Sequence, residues 1–166
     1  DPNVDAVKFL TMEVLPRVQQ KLGPIQVTIV GSNATAEIFD LQSDSVKVVG
    51  WVDDLLPYYN SHKMVVAPLR FGAGVKGKIG EALSHGIPTV TTSVGVEGMP
   101  LINGQDILFA DTADEIADAV VKVYNDEQLW TSLSHNGQRK IDSLVGSEAL
   151  RKMVDDLLDQ VSGLKA

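Results

Sequence analysis

The segment KMVVAPLRFGAGVKGKIGEALSHGIPTVTTS, residues 63–93, reads as strand, glycine-rich turn, helix and strand in succession. Its apolar runs, 63–69 and 87–93, are short and continuous, as in strands buried on both faces. Between them Ile79, Ala82 and Leu83 share one face of a helix predicted over 77–85. Gly86 stops that helix, with Pro88 just beyond. Two strands joined through a helix lie parallel, because a tight hairpin cannot connect parallel neighbours.

The same alternation extends outward. IQVTIVG (25–31), VKVVGWV (46–52) and DILFA (106–110) complete five predicted strands, and no Asn-Gly or Asp-Gly hairpin turn links them. Helical patterns cover 3–22, with a kink or restart expected at Pro16, and then 33–40 and 53–61. Asp53 and Asp54 mark a helix N-terminus, where acids complement the dipole. Thr112 and Glu115 have capping-box spacing ahead of a stripe of Ile116, Ala119, Val120 and Val123. Helices over 127–144 and 147–161 follow, the latter with seven apolar residues on one stripe. VGVEGM (94–99) reads as a loop carrying the acid Glu97. The expectation is one α/β domain spanning 1–166: an open, Rossmann-like parallel sheet of about five strands with helices on both faces. In such sheets ligands lie beyond the carboxyl ends of the strands.

Composition narrows the partners. The 166 residues are 44% hydrophobic and 22% charged, with net charge −8. An acidic body of pI about 4.7 lacks the broad basic surface that nucleic acid requires. With no cysteine there is no disulfide frame or thiolate metal site, which fits a reducing compartment. His62, His85 and His135 show no ligand spacing, and neither a metal nor a cofactor is expected. No apolar run approaches a membrane span. The chain begins at Asp1 without Met, the start expected of a fragment or a processed product.

The turn itself poses an electrostatic problem. Lys76 and Lys78 crowd a predicted helix start, where unpaired N–H groups and the helix dipole disfavour cations by roughly 0.3–1 kcal/mol each. A solvated glycine-lysine loop is the plainer reading. The strand-end position, the three glycines (Gly72, Gly74, Gly77) and the paired cations favour a phosphate cradle. Gly72-x-x-x-x-Gly77-Lys78 matches most of a P-loop, but Ile79 stands where a magnesium-binding hydroxyl is needed. Gly72, Gly74 and Gly77 also fit a dinucleotide fingerprint, yet TTSVGVEG offers only Glu97 as the ribose-binding acid. Glu81, one turn past Lys78 and off the apolar stripe, suits a ribose diol or simply complements the dipole.

VVAPLRFGAGVKGKIGEALSHGIPTVTTSVGVEGM (65–99) closely resembles the donor-binding segment of GT-B glycosyltransferases of the retaining group-1, family-4-like kind. DPNVDAVKFLTMEVLP, VTIVGSN, VKVVGWVDDLLPYYNSHKMVVAPL and NGQDILFADTADEIADAV follow the family's order. The resemblance implies the C-terminal, nucleotide-sugar-binding half of a two-domain hexosyltransferase. It implies that Glu81 holds the ribose and that the amides of Gly74, Val75, Lys76, Gly77 and Lys78 bind the diphosphate. Gly31, Gly50, Trp51 and Val52 would meet the nucleotide and its base. Arg70, Lys76 and Lys78 would neutralise the leaving group, so the catalytic candidates are Lys76, Lys78 and Glu81. The partners implied are a nucleotide-diphosphate sugar such as a UDP- or GDP-sugar and an absent N-terminal acceptor domain. The enzyme is expected in the cytoplasm, with any membrane contact through that other half. On its own, this half is expected to bind nucleotide weakly and to be inactive.

Two departures qualify the transfer. Ala73 replaces the first of the family's paired glutamates, which meets the donor sugar, and lysines stand where relatives carry uncharged residues. The strand and glycine turn expected before PNVDAV are also missing. Rival readings are a nucleotide-sugar 2-epimerase-like half and a non-catalytic nucleotide-binding or interaction module.

Overall fold

The computed structural model describes residues 1–32, 34–74, 76–147, 151 and 154–156. Helices α1 (Pro2–Phe9) and α2 (Leu15–Leu22) lead to β1 (Val27–Val30), α3 (Ala36–Phe39), β2 (Val46–Gly50) and α4 (Leu56–Ser61). Then come β3 (Val65–Ala67), α5 (Gly77–Ser84), β4 (Thr89–Thr91), α6 (Ser93–Val96) and β5 (Leu108–Phe109). Two long helices, α7 (Ala113–Asn125) and α8 (Glu127–Val145), follow.

All strand pairings are parallel, as the alternation predicts, but the ladder is divided. β1 pairs with β2, and β4 runs between β3 and β5. Pro68, which has no N–H to donate, ends β3 after three residues. The two ladders still share a core: Val27, Ile29, Met64 and Val66 pack on the cluster that holds Val90 and Leu108. His62 adds a polar tie, its Nε2 lying 2.8 Å from the Thr28 hydroxyl.

Register shows why helices are needed on both faces. Val66, Val90 and Leu108 are aligned across the three-stranded ladder and project into one cluster. There they meet Phe9, Leu10, Val14 and Val18 from the N-terminal helices and Ile116, Ala117, Val120 and Val123 from α7. One residue further along, Ala67 and Phe109 enter the opposite cluster, with Ile79 and Leu83 of α5 and Ile141 of α8. This is the period-two alternation of a sheet covered twice.

The break expected at Pro16 takes a particular form. The chain remains helical through residues 10–14 as a π turn, in which Leu15 N–H bonds to Leu10 O. That five-residue step absorbs the proline's missing donor and its clash with the preceding turn. The helix predicted over 33–40 is confined to Ala36–Phe39. The one predicted from 53 starts at Leu56, whose N–H bonds to Asp54 Oδ1 at 2.8 Å. A short helix replaces the loop expected at 94–99, because Thr92 caps it by accepting the Gly95 N–H. The 147–161 helix lies largely outside the described residues; of its seven apolar positions only Val154 is described, and it is exposed.

Both ends of the key elements follow local rules. The Thr112–Glu115 capping box forms. Gly86 takes φ +70° and closes α5 with bonds from Gly86 N to Leu83 O and Ile87 N to Ala82 O, while Ile87 packs on Ala82. Gly137 lets α8 approach α5: a Cβ there would lie 2.7 Å from Leu83 Cδ2 and 2.8 Å from Asp106 O. Gly137→Ala therefore forces α8 outward. We expect a loss of about 1–3 kcal/mol in denaturant unfolding, despite alanine's better helix propensity.

Candidate functional site

The carboxyl ends of β1, β2 and β3 carry most of the residues singled out by sequence. Gly31 N–H bonds to Gly50 O at 2.9 Å, bringing the ends of β1 and β2 together. Gly50 adopts φ +81°, which a side chain rarely tolerates. Trp51 follows it, 67% exposed, with Val52 half-buried behind. The Phe39 ring of α3 lies 3.9 Å from where a Gly50 Cβ would stand.

The loop after β3 is fastened at its base by two buried threonines. Thr91 Oγ1 donates to Ala67 O at 2.7 Å, and Thr92 Oγ1 donates to Leu69 O. Beyond this base Gly72 (φ +131°) and Gly74 (φ +86°) turn the backbone through conformations open to glycine. The chain then enters α5 at Gly77, whose N-cap Lys76 makes no side-chain capping bond. The opening N–H groups of a helix lack intrahelical acceptors and lie at its positive pole. An anion is the natural occupant of such a place. Val75 lies outside the described residues.

The two lysines have different surroundings. Lys76 is only 7% exposed, and its ammonium donates to Gly72 O at 2.9 Å and Gly74 O at 2.8 Å. Lys78 is exposed and its ammonium bonds to Asn3 Oδ1. Although the residue as a whole is exposed, partial loss of solvent around its amine and, secondarily, the charge of Lys76 hold its pKa below the ordinary lysine value. Glu81, one turn on, faces solvent. The buried Tyr59 lies close enough to feel its charge: burial first, and then Glu81, push the phenol up to about 12.

Arg70 is engaged elsewhere. Its Nε and Nη2 donate to the two oxygens of Asp5 at 2.9 and 2.5 Å, and its guanidinium lies 4.8 Å from the Phe9 ring centroid. The hydrogen bond from Arg70 holds the Asp5 carboxyl below its usual range, and the same bond raises Arg70. The first turn of α1 thus borders the loop at three points: Pro2 beside Gly72, Asn3 on Lys78 and Asp5 on Arg70.

Sequence reasoning missed Asn3, Asp5 and Thr92. Thr92 carried a usable signal, a capping residue directly after a strand; the other two act across more than sixty residues and leave no local trace. Glu97 ends α6, exposed. Among the described residues, no group of three His, Asp or Glu is placed to hold a metal, and no helix is long and apolar enough to cross a membrane.

A shallow groove on α8, lined by residues such as His135, Asn136 and Arg139, lies away from this site. Gln138 beside it bonds to Ser84 O at the far end of α5, roughly 10 Å along the axis from Lys78 at 1.5 Å per residue.

Comparison with known proteins gives a concordant picture. Residues 1–126 match the family described as glycosyl transferases group 1. The capsular polysaccharide biosynthesis glycosyltransferase CapM of Staphylococcus aureus is 26% identical in an alignment of 153 positions that covers 84% of this chain and 40% of that protein. The chain thus spans about two-fifths of the length of the curated relative it matches. Among solved structures, Anabaena HepE in complex with UDP and glucose superposes with a TM-score of 0.73 at 16% identity, covering 89% of this chain and 44% of that one. The C-terminal domain of the Francisella tularensis glycosyl transferase group 1 protein LpcC gives 0.70 at 15% identity, covering 86% and 80%. These likenesses show a shared α/β fold with the Rossmann-like domains of GT-B glycosyltransferases.

The depressed Lys78 pKa sets a pH dependence for any anion it holds. The ammonium is the binding form and is lost at lower pH than in an ordinary lysine. Affinity for inorganic pyrophosphate, as a probe anion, should therefore fall as pH rises from about 7 towards 10.5. Calorimetric titration across that range should show the decline in the unsubstituted protein and a weaker, flatter profile in Lys78→Gln.

Proposed function

Because this chain belongs to the glycosyl transferases group 1 family, we propose that it is the donor-binding half of a two-domain enzyme that transfers a sugar from a nucleotide diphosphate to an acceptor. The observation that carries this reading is the loop after β3: left-handed glycines lead into the N-terminus of α5, with the Lys78 ammonium beside it.

The chemistry required is stabilisation of a leaving diphosphate as negative charge builds on it. Fixed dipoles and cations aimed at that charge serve this without reorganising during reaction. The amides of Gly74 to Lys78 and the start of α5 take the phosphates, and Lys78 exchanges its Asn3 partner for a phosphate oxygen. Glu81, exposed one turn along α5, accepts the ribose hydroxyls, since a carboxylate offers two oxygens to a diol. The base rests at the joined ends of β1 and β2, beside Gly31, Gly50, Trp51 and Val52. Arg70 contributes indirectly, because Asp5 already holds its guanidinium.

Transfer with retention of anomeric configuration and a hexose as the moved group complete the reading. HepE, crystallised with UDP and glucose, makes uridine nucleotides the first donors to try. Ala73 leaves the sugar without the glutamate that relatives present there, so sugar selection falls to other residues. Acceptor binding belongs to the other half. The enzyme works in the cytoplasm, with any membrane contact made through that half, and this half alone is inactive.

In the full-length protein, calorimetry with UDP, GDP and ADP should find one preferred nucleotide. Glu81→Ala should weaken it at least about tenfold, the order of a lost charge-assisted hydrogen-bond pair. Lys78→Ala should lower turnover by about a hundredfold, as when one electrostatic stabiliser of a leaving group is removed. Turnover within a factor of two of the unsubstituted enzyme would exclude Lys78 from the chemistry.

A further inference from the structure

Lys76 is the one lysine that the described structure buries, and an ammonium removed from water must have its donors satisfied. Both acceptors are carbonyls of its own loop, Gly72 O and Gly74 O. Those carbonyls belong to the two glycines with left-handed backbones. A planar trans peptide places its N–H on the side opposite its C=O. With Gly72 O drawn inward to the ammonium, the next N–H, that of Ala73, points away from it, and Ala73 is exposed.

We propose that Lys76 is a positioning residue: its ammonium fixes the backbone at Gly72 and Gly74 from beneath, and Lys78 supplies the cation that meets the ligand. This rests on the nucleotide-diphosphate reading of the site and changes the part Lys76 plays in it. The Lys76 ammonium keeps its charge, but its bonds run inward to two loop carbonyls, so it makes no direct contact with a ligand outside the loop. What it offers is order, holding donors in place before the anion arrives. That is preorganisation, and its loss weakens binding by loosening the loop. It also explains two lysines two residues apart: one fixes the backbone and the other projects beyond it.

The test uses the full-length protein with Lys76→Met, which keeps the length and apolar stem of the buried side chain, and Lys78→Met. Without nucleotide, Lys76→Met should raise amide exchange at Ile79 and Gly80, whose N–H groups bond to Lys76 O, at least about tenfold, whereas Lys78→Met should leave it unchanged. With UDP, both should bind more weakly, but only Lys78→Met should flatten the dependence of affinity on salt, the mark of a lost direct charge contact. Unchanged exchange at Ile79 and Gly80 in Lys76→Met, or a salt dependence as flat as in Lys78→Met, would overturn the proposal. If the unsubstituted protein binds none of UDP, GDP and ADP, the nucleotide reading fails, and the exchange measurement alone then decides whether Lys76 orders the loop.

Discussion

The buried stripe of α5 is the constraint from which the site follows. Ile79, Ala82 and Leu83 are at most 1% exposed, and each contributes to packing on β3, β5, α4 or α8. Burying such side chains stabilises the fold by roughly 1.5–3 kcal/mol for each large one. A helix held this firmly along one face cannot rotate or slide. Its N-terminus therefore stays at the carboxyl edge of the sheet, where the loop from β3 must meet it. Gly137 and the Gly86 cap lock the other end, so the positive pole of α5 is positioned by packing before any ligand enters.

Electrostatics then works against the surroundings. The chain carries a net charge of −8, yet two ammonium groups, the Arg70 guanidinium and a helix start converge at one edge. Each cation finds a different compensation in the folded protein: loop carbonyls for Lys76, an amide oxygen for Lys78 and the Asp5 carboxylate for Arg70. Neutral oxygens compensate less than an anion does. The charge on Lys78 is accordingly disfavoured, by burial and by Lys76. Under the proposed function, the opposite charge of a diphosphate offsets both, and the gain is greatest for the lysine that has only a side-chain amide to surrender.

Much of this was legible in the sequence, for identifiable reasons. The five parallel strands, the α5 stripe, the Gly86 stop and the Thr112 capping box depend on residues within a few positions of one another, where periodicity and capping chemistry act. The glycine-lysine turn stood out in the sequence as a candidate anion site because its cost, cations at a positive helix pole, is local too. What escaped was set by distance. The division of the ladder depends on how β1 and β3 meet across the core. The engagement of Arg70 by Asp5 spans sixty-five positions. Lys76 shows a further limit: its partners are only two and four residues away, but whether a lysine points into or out of a loop is decided by packing beneath it.

The first turn of α1 makes the site a joint product of the N-terminal helix and a loop more than sixty residues further along the chain. Asp1 caps α1 by accepting from Asn3 and Val4, which fixes the helix start beside Gly72. Asn3 and Asp5 then face Lys78 and Arg70, while Phe9 lies under the Arg70 guanidinium and enters the core. A change in the course of α1 would thus reach the loop through three contacts at once. The π turn at residues 10–14 matters for that reason. It takes up the irregularity imposed by Pro16 within the helix and leaves Leu10, Val14 and Val18 in the core. Had the proline kinked the chain outright, α1 would have diverged from α2, and Asp5 could not lie on Arg70 while Val18 remained packed. The helix tolerates a local π step, and the loop after β3 keeps its contacts with α1.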